Sequence, residues 1–487
     1  MRSLSDRAAL LIIANAFKYA VGFVLPMILV RHLSQADYGT YQQLNLIANL
    51  GTGVLVLGLP MSIYYFYHHF HRPTLIAQTQ IILLASGVLA AGALALAAPL
   101  LAARMHNAQL GELLPAYGLY VGLYIAGEHF MHVMISQNRY RMAVGLEVAE
   151  TSFRVAALTV LLLLGYALHA LVMALVLYAA LRLAGRSYWL WTGADSVRGS
   201  SWRQRFASAQ LAYSMPLAAS ACVGLIGGLL DKAIVALVFL PADYAIYSVG
   251  ALEIPLDTIF QGSVANVLRA SLPSLIRERR IDEVVRIWRD SVRKLALIMI
   301  PSFVFFTCFA DSLITTLFTR HYEASVQIFR IYLLVLPLYM FILNATPQVF
   351  GKTRLNLYVA GASVASNVVL SLILLPLIGI LGPATAFVVS SYLTSALYFV
   401  VTRRLLETPS IELLPLKSMG RTLLASGLAI VPAAVVSALL PEPWSLLAGA
   451  AVFGLAYLPA GFVTRAFHPA DIEMARSWLR RLGLGSS

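Results

Sequence analysis

The chain has 487 residues, 60% of them hydrophobic and 12% charged, and its mean hydropathy is +0.79. Soluble domains carry about twice that share of charge, so a large soluble domain is excluded. The net charge of +13 does not signal nucleic acid, because the basic residues gather in alternate connections between apolar runs.

Apolar runs long enough to cross about 30 Å of hydrocarbon recur from end to end. They predict an all-α integral membrane protein with fourteen transmembrane helices, at about 8–30, 41–66, 75–102, 114–136, 142–165, 168–190, 211–237, 244–272, 293–318, 327–350, 357–378, 383–402, 421–440 and 445–463. The first span contains Lys18, and no small-residue cleavage pattern precedes Arg31, so it reads as a retained helix rather than a signal peptide. With the N-terminus inside, the outside loops hold only Arg31, Arg104 and Arg320, and the cations singled out within spans are Lys18, Arg154, Lys232, Arg269 and Arg330. All other Lys and Arg then fall on the inside or toward the inner ends of spans, which places both termini in the cytoplasm.

Six residues recur. Ala36-Asp37-Tyr38-Gly39-Thr40-Tyr41 returns as Ala242-Asp243-Tyr244-Ala245-Ile246-Tyr247, and Gln137-Asn138-Arg139-Tyr140-Arg141 has an echo at Gln348 to Arg354. The repeat predicts two six-helix lobes, 1–206 and 207–420, related by a pseudo-twofold axis, followed by helices 13 and 14 and a cytoplasmic amphipathic tail within 421–487. Repeats of this kind place a working site between them, so transport comes before catalysis.

Charge inside a span costs about 2.5–3.5 kcal/mol at the helix centre, so such residues face a bundle interior or a wet cavity. Lys18 lies midway along span 1 with Asn15 one turn earlier and nothing acidic beside it, which suits an anion; the structural reading is a carboxylate from another helix. In span 4, Glu128, His132 and Ser136 form one stripe with His129 beside it, read foremost as a hydrogen-bonded stripe, with a proton relay through Glu128, His132 and Glu150 next and a metal last. Arg154 in span 5 has Glu147 and Glu150 on its own face, and Glu150 is expected to neutralise it. Asp231 and Lys232 are adjacent and point about 100° apart, so each needs its own neighbour. Glu253, Asp257 and Gln261 fall at i, i+4 and i+8 in span 8, a carboxylate pair that repels itself unless it binds a proton or a cation. Arg269 and Arg330 lie near span ends and snorkel.

Residues 276–293 place Ile281, Val284, Val285, Trp288 and Val292 opposite a row of arginines, the pattern of a helix lying in the inner headgroup layer. The tail repeats the pattern with Ile472, Trp478 and Leu479 beside Arg476, Arg480 and Arg481. Cys222 and Cys308 sit in apolar runs and read as small hydrophobes. There is no nucleotide-binding G-x-x-x-x-G-K-[ST], nucleophile elbow or zinc motif, so neither an enzyme nor a cofactor is expected, and a metal site is not assigned.

Arg31-His32-Leu33-Ser34-Gln35-Ala36-Asp37-Tyr38-Gly39 resembles the R-x-L-S-x-x-[DE]-Y-G signature of bacterial polysaccharide transporters, the Wzx-like oligosaccharide flippases. Asp231-Lys232 followed by Pro241 to Tyr247, and Asn367 to Pro376 followed by Gly379-Ile380-Leu381-Gly382-Pro383-Ala384, are similar to that family's second-half motifs; Ala245 and Pro383 depart from its usual small residues. The resemblance spans the chain. It implies membership of the multidrug/oligosaccharidyl-lipid/polysaccharide exporter superfamily and a location in the bacterial inner membrane. It also implies movement of undecaprenyl-diphosphate-linked oligosaccharide from inner to outer leaflet by alternating access, driven by an ion gradient or the membrane potential. Lys18, with Arg154, Lys232 and Arg31, would then meet the diphosphate, and Glu253, Asp257 and Gln261 would bind the coupling Na+ or H+. The polymerase and chain-length regulator of an export pathway would be candidate partners. The alternatives are a cation-coupled multidrug antiporter of the same superfamily and a non-transporting scaffold of an export complex.

The charge distribution makes one test immediate. Reporter fusions after Asp37 and Asp243 should read outside, and fusions after Arg280 and Arg481 inside; reversal at any two sites overturns the topology.

Overall fold

In hydrocarbon a backbone must satisfy its own polar groups, so apolar runs of this length can form only helices or closed barrels. The computed structural model describes residues 4–192, 202–352, 354–409, 413–468 and 471, with the side chains of 4–16 and 257–258 outside the description. Among the described residues there is no strand.

Each of the fourteen expected spans contains α-helix, four of them with a break. The first half comprises α1 (Leu4–His32), α2 (Gln35–Leu55), α3 (Leu59–Phe66), α4 (Arg72–Arg104), α5 (Ala108–Ala126), α6 (Phe130–Ser136), α7 (Tyr140–Leu163) and α8 (Leu168–Thr192). Next come α9 (Gln204–Val238), α10 (Pro241–Gly250), α11 (Gly262–Arg277), α12 (Ile281–Cys308), α13 (Ala310–Phe318), α14 (Ser325–Leu333) and α15 (Ala345–Val349). The last four are α16 (Arg354–Ile378), α17 (Leu381–Leu406), α18 (Leu416–Ala438) and α19 (Trp444–Val463). Among the described residues, ten helical segments are long and apolar enough to cross a membrane, which makes this a multi-pass membrane protein. The other four expected spans are the first, fourth, fifth and eighth. These hold Lys18, Glu128, the Glu147–Arg154 face and Glu253.

Spans 2, 4, 8 and 10 are interrupted. Leu57 and Gly58 take positive φ (56° and 64°) between α2 and α3, where a Cβ on Gly58 would come within 2.8 Å of the Ser214 carbonyl of α9. Only glycine meets both demands easily. Residues 127–129 separate α5 from α6. Residues 251–255 leave the helix before a wide turn at Asp257–Gln261, and Pro255 there lacks the N–H that helix would need. Pro337 sits in the tight turn Leu336–Met340 that interrupts span 10. The second and fourth spans of each half are thus the broken ones.

The chain forms two compact units, Met1–Ser248 and Val249–Ser487. In the first, α9 is tied to the preceding helices: Gln210 donates to Ser62 and Thr79, each at 2.9 Å, and Gln78 to the Arg203 carbonyl at 2.9 Å. The repeated motif differs between its copies for a steric reason. A Cβ on Gly39 would overlap the Pro241 carbonyl, whereas Ala245, its counterpart, is buried with room for its methyl. Helices α4 and α5 cross at Gly87 and Gly122, where either Cβ would overlap the other's carbonyl, and Gly118 packs on Ala91. This small-residue contact lets two backbones approach closely without a hydrophobic driving force.

In the second unit, Val284, Trp288, Val292 and Leu295 of α12 pack on Leu268 and Leu272 of α11 and on Met340. This corrects the expectation of a helix lying in the headgroup layer. The stretch from Ile281 is the first part of one long helix, and its apolar stripe faces protein, with Trp288 only 1% exposed. Periodicity shows that a stripe is covered and is silent on what covers it. The tail from Ile472 lies outside the described residues.

The α4–α5 crossing yields a stability test. Gly122→Val should cost about 1–3 kcal/mol through overpacking and lower the unfolding midpoint in detergent. Gly92→Ala, on α4 with nothing within 4 Å of its added methyl, should leave the midpoint unchanged or raise it.

Candidate functional site

Helix α8 carries Arg182 and Arg186 one turn apart, hence on one face. That face meets the interruption between α5 and α6, where the Tyr124 and Gly127 carbonyls accept long i+3 turn bonds, from the N–H groups of Gly127 at 3.2 Å and Phe130 at 3.4 Å. Arg182 donates from Nη1 to the Tyr124 carbonyl at 3.1 Å, and Arg186 from Nη1 to the Gly127 carbonyl at 2.8 Å. The rest of each guanidinium is taken by carboxylates. Arg182 donates to Glu128 at 2.7 Å and to Glu150 at 3.4 Å. Arg186 grips Glu150 through Nε at 3.0 Å and Nη2 at 2.5 Å, and lies 3.7 Å from Glu147. The Arg182 guanidinium also stacks 4.0 Å from the Tyr124 ring.

Lys18 reaches Glu147 at 3.9 Å, a loose contact, and its side chain stays 63% exposed, against 3% and 2% for Arg182 and Arg186. The two arginines are therefore internal struts and the lysine is accessible. Above the Glu150–Arg186 pair, a cavity of about 410 Å³ opens between α7 and α8, walled by Phe153, Tyr178 and Trp189.

Arg154 departs from expectation. Glu150 gives both oxygens to α8, so the intrahelical Glu150–Arg154 pair does not form. Among the described residues Arg154 makes no ion pair, and its Nε is buried with no hydrogen-bond partner. Its electrostatic neighbours are the hydroxyls of Tyr41, Tyr120, Tyr124 and Tyr178. The preference for Glu N-terminal to Arg is worth only a few tenths of a kcal/mol, too little to compete with two buried guanidiniums. The cluster as a whole holds four cations (Lys18, Arg154, Arg182, Arg186) against three carboxylates (Glu128, Glu147, Glu150), a surplus of one positive charge.

The remaining sequence candidates are dispersed. Arg31 stands in the last turn of α1, about 20 Å along the helix from Lys18, and donates to the Met27 carbonyl at 2.6 Å. Asp231 is buried and accepts from the Tyr247 hydroxyl at 2.7 Å, and Lys232 is half-buried beside it. The Glu128–His132–Ser136 stripe straddles the α5–α6 break: Glu128 goes to Arg182, His129 is fully buried, and the His132 ring lies 5.1 Å from that of Tyr64. In the second unit, Arg269 donates to Gln348 and Arg330 pairs with Asp311.

The expected stripe of Glu253, Asp257 and Gln261 is not continuous. Glu253 falls in the non-helical stretch 251–255 and Asp257 opens the wide turn, so the i, i+4, i+8 spacing does not bring them onto one helix face. Glu253 borders a small cavity of about 30 Å³ with Tyr332, Tyr339 and Phe387. The Asp257 side chain lies outside the described residues. The spacing argument assumed an unbroken helix, and Pro255 was the signal against it.

Arg182 and Arg186 were missed in the sequence, counted there among the inside charges that set topology. The available signal was two arginines at i, i+4 within the apolar run 168–190, with three glutamates in the two spans before it.

A family model described as "Polysaccharide biosynthesis protein" matches residues 28–327. Solved structures of similar fold include the lipid II flippase MurJ in an inward closed conformation, at 15% identity over 93% of this chain and 98% of that chain, with a TM-score of 0.68. An inward-facing multidrug resistance MATE family transporter of the MOP superfamily matches at 15% identity over 79% of this chain and 93% of that one, TM-score 0.63. A MOP superfamily transporter from Pyrococcus furiosus, described as having a binding pocket of reverse polarity, matches at 12% identity over 82% and 95%, TM-score 0.58. At these identities the likeness is one of fold. No curated protein matches the chain.

The cluster predicts an order of stabilities. Glu150→Ala leaves two buried guanidiniums short of a carboxylate and should cost about 3–5 kcal/mol, read as a lower unfolding midpoint in detergent. Glu147→Ala breaks only the contacts at 3.7 and 3.9 Å and should cost clearly less. The reverse order would mean that Glu150 is not the centre of the network.

Proposed function

The chain belongs to the polysaccharide biosynthesis protein family, and on that premise we propose that it is a flippase for undecaprenyl-diphosphate-linked oligosaccharide. It carries its substrate from the inner to the outer leaflet of the bacterial cytoplasmic membrane by alternating access, with both termini in the cytoplasm. The polymerase and chain-length regulator of the export pathway are its proposed partners.

The observation that carries this reading is the surplus cation of the first unit. A diphosphate and a polar glycan cannot cross hydrocarbon unaided, and a buried cation lacking a carboxylate is the natural counter-charge. Arg154 has no ion pair among the described residues, and Lys18 is accessible and only loosely held. These two are the proposed diphosphate contacts. The phenol rings around Arg154 offer hydroxyls and flat faces to a sugar. Lys232 and Arg31 are proposed as later contacts along the path, Arg31 at headgroup level.

Coupling to Na+ or H+ is proposed for the interrupted eighth span. There Glu253 lies among backbone carbonyls freed from helix, an arrangement suited to a small cation. Asp257 and Gln261 follow it, and Glu128, His132 and Glu150 are the second candidate relay. The MATE likeness fits a cation-coupled multidrug antiporter equally well at the level of fold.

Flipping of a labelled lipid-linked oligosaccharide in proteoliposomes tests the proposal. Lys18→Ala and Arg154→Ala should each slow flipping at least tenfold at normal protein level, and Lys18→Arg should keep part of the rate because charge matters more than fork geometry. Normal flipping by both alanine variants would remove the counter-charge assignment. No flipping by the wild type, with export of a cationic dye instead, would establish the antiporter.

A second arm imposes a proton or sodium gradient. Glu253→Gln and Asp257→Asn should lose the gradient dependence while still binding substrate; unchanged dependence in both would move coupling to the Glu128–His132–Glu150 set.

A further inference from the structure

The second unit contains a cavity of about 550 Å³ between the start of α12, the start of α18 and His468. None of its lining residues is among those assigned above to transport. Arg286, Arg289 and Arg293 face it from α12, and Lys417 and Arg421 from α18, against Asp282 and Asp290. With Asp471, which pairs with Arg293 from behind the wall, five cations stand against three carboxylates, a surplus of two positive charges.

The pairing inside the cavity is uneven. Arg293 is consumed: it donates to both oxygens of Asp471, at 2.5 and 2.8 Å, and to Asp290 at 2.8 Å, and it is buried. Asp290 also takes Lys294 at 2.7 Å. Arg289, Lys417 and Arg421 have no ion pair among the described residues. Pro415 provides no capping side chain to the first turn of α18, whose N-terminal end adds positive partial charge on that side. Donors and positive charge converge here, and acceptors are short.

Position identifies the ligand's source. Beyond Arg293 and Lys294, α12 becomes apolar from Leu295 onward, and beyond Arg421, α18 does the same. The cavity therefore sits where two charged helix starts pass into membrane spans, at the depth of lipid phosphates. Basic pockets between transmembrane helices at that depth suit anionic headgroups.

We propose that this cavity is a binding site for the phosphate of an anionic phospholipid headgroup, held by Arg289, Lys417 and Arg421. The bound headgroup ties the start of α18 to α12. The site is independent of the transported substrate.

The test uses the full chain, delipidated in neutral detergent. Phosphatidylglycerol should raise the unfolding midpoint by several degrees and be retained in native mass spectra, and phosphatidylcholine should do neither. A variant combining Arg289→Gln, Lys417→Gln and Arg421→Gln should need at least tenfold more phosphatidylglycerol for the same shift. Arg403→Gln with Arg404→Gln, which removes two exposed cations elsewhere, should behave as the wild type. If the triple variant fails to fold, each single substitution should weaken the response by a few-fold. Equal responses to both lipids, or undiminished retention in the variants, would overturn the site. An equal shift from millimolar inorganic phosphate alone would overturn the lipid as the source.

Discussion

Two arginines on one turn of α8 hold the first unit's polar interior together. A transmembrane helix that breaks exposes carbonyls that lipid cannot satisfy, and a carboxylate in the same place is costlier still. Arg182 and Arg186 meet both demands at once, capping the carbonyls of Tyr124 and Gly127 and neutralising Glu128 and Glu150. The guanidinium suits this because its donors lie in one plane and can be divided among several acceptors. A lysine could place a charge there but could not span a carbonyl and a two-pronged carboxylate.

The reactive character of the cluster follows from that allocation. Because Glu150 is held by α8, Arg154 on the same helix is left to a ring of tyrosines. Glu147, held only at 3.7 Å by Arg186, is shared loosely with Lys18. Structural cations are thus the buried and fully bonded ones, and the cations available to a ligand are those the network leaves over. The same division recurs at the start of α12, where Arg293 is consumed by Asp290 and Asp471 while Arg289 has no ion pair among the described residues.

The interrupted helices share a logic. In each half the second and fourth spans break, at Gly58, around Gly127, before Pro255 and around Pro337. A break in a membrane helix is tolerated only where other groups supply hydrogen bonds or where it lines a wet cavity. At Gly127 those groups are the two arginines; at Gly58 the adjoining chain is the backbone of α9, close enough to exclude a side chain. Close backbone approach also explains why the repeated motif keeps glycine at Gly39 and accepts alanine at Ala245.

The sequence by itself determined the class and the outline. Hydropathy located the helical regions, because the turns of a membrane helix are mostly apolar and the period needs no partner to be read; it missed the breaks in four spans and the twelve residues by which α12 precedes its expected start. The motif set pointed to the family that the family model matches. It also picked out Lys18, Arg154 and the glutamates as chemically unusual, since any charge in hydrocarbon is. What it could not decide was pairing. Whether Glu150 turns to Arg154 on its own helix or to Arg186 on another depends on which guanidinium is more deeply buried and how many bonds each can complete, and that is a property of packed helices. The Glu253–Asp257 stripe failed for a related reason, since spacing along a chain becomes a face only if the helix continues. The apolar side of α12 met protein instead of lipid because α11 folds back onto it. Composition fixes how much must be covered, and tertiary packing alone decides by what.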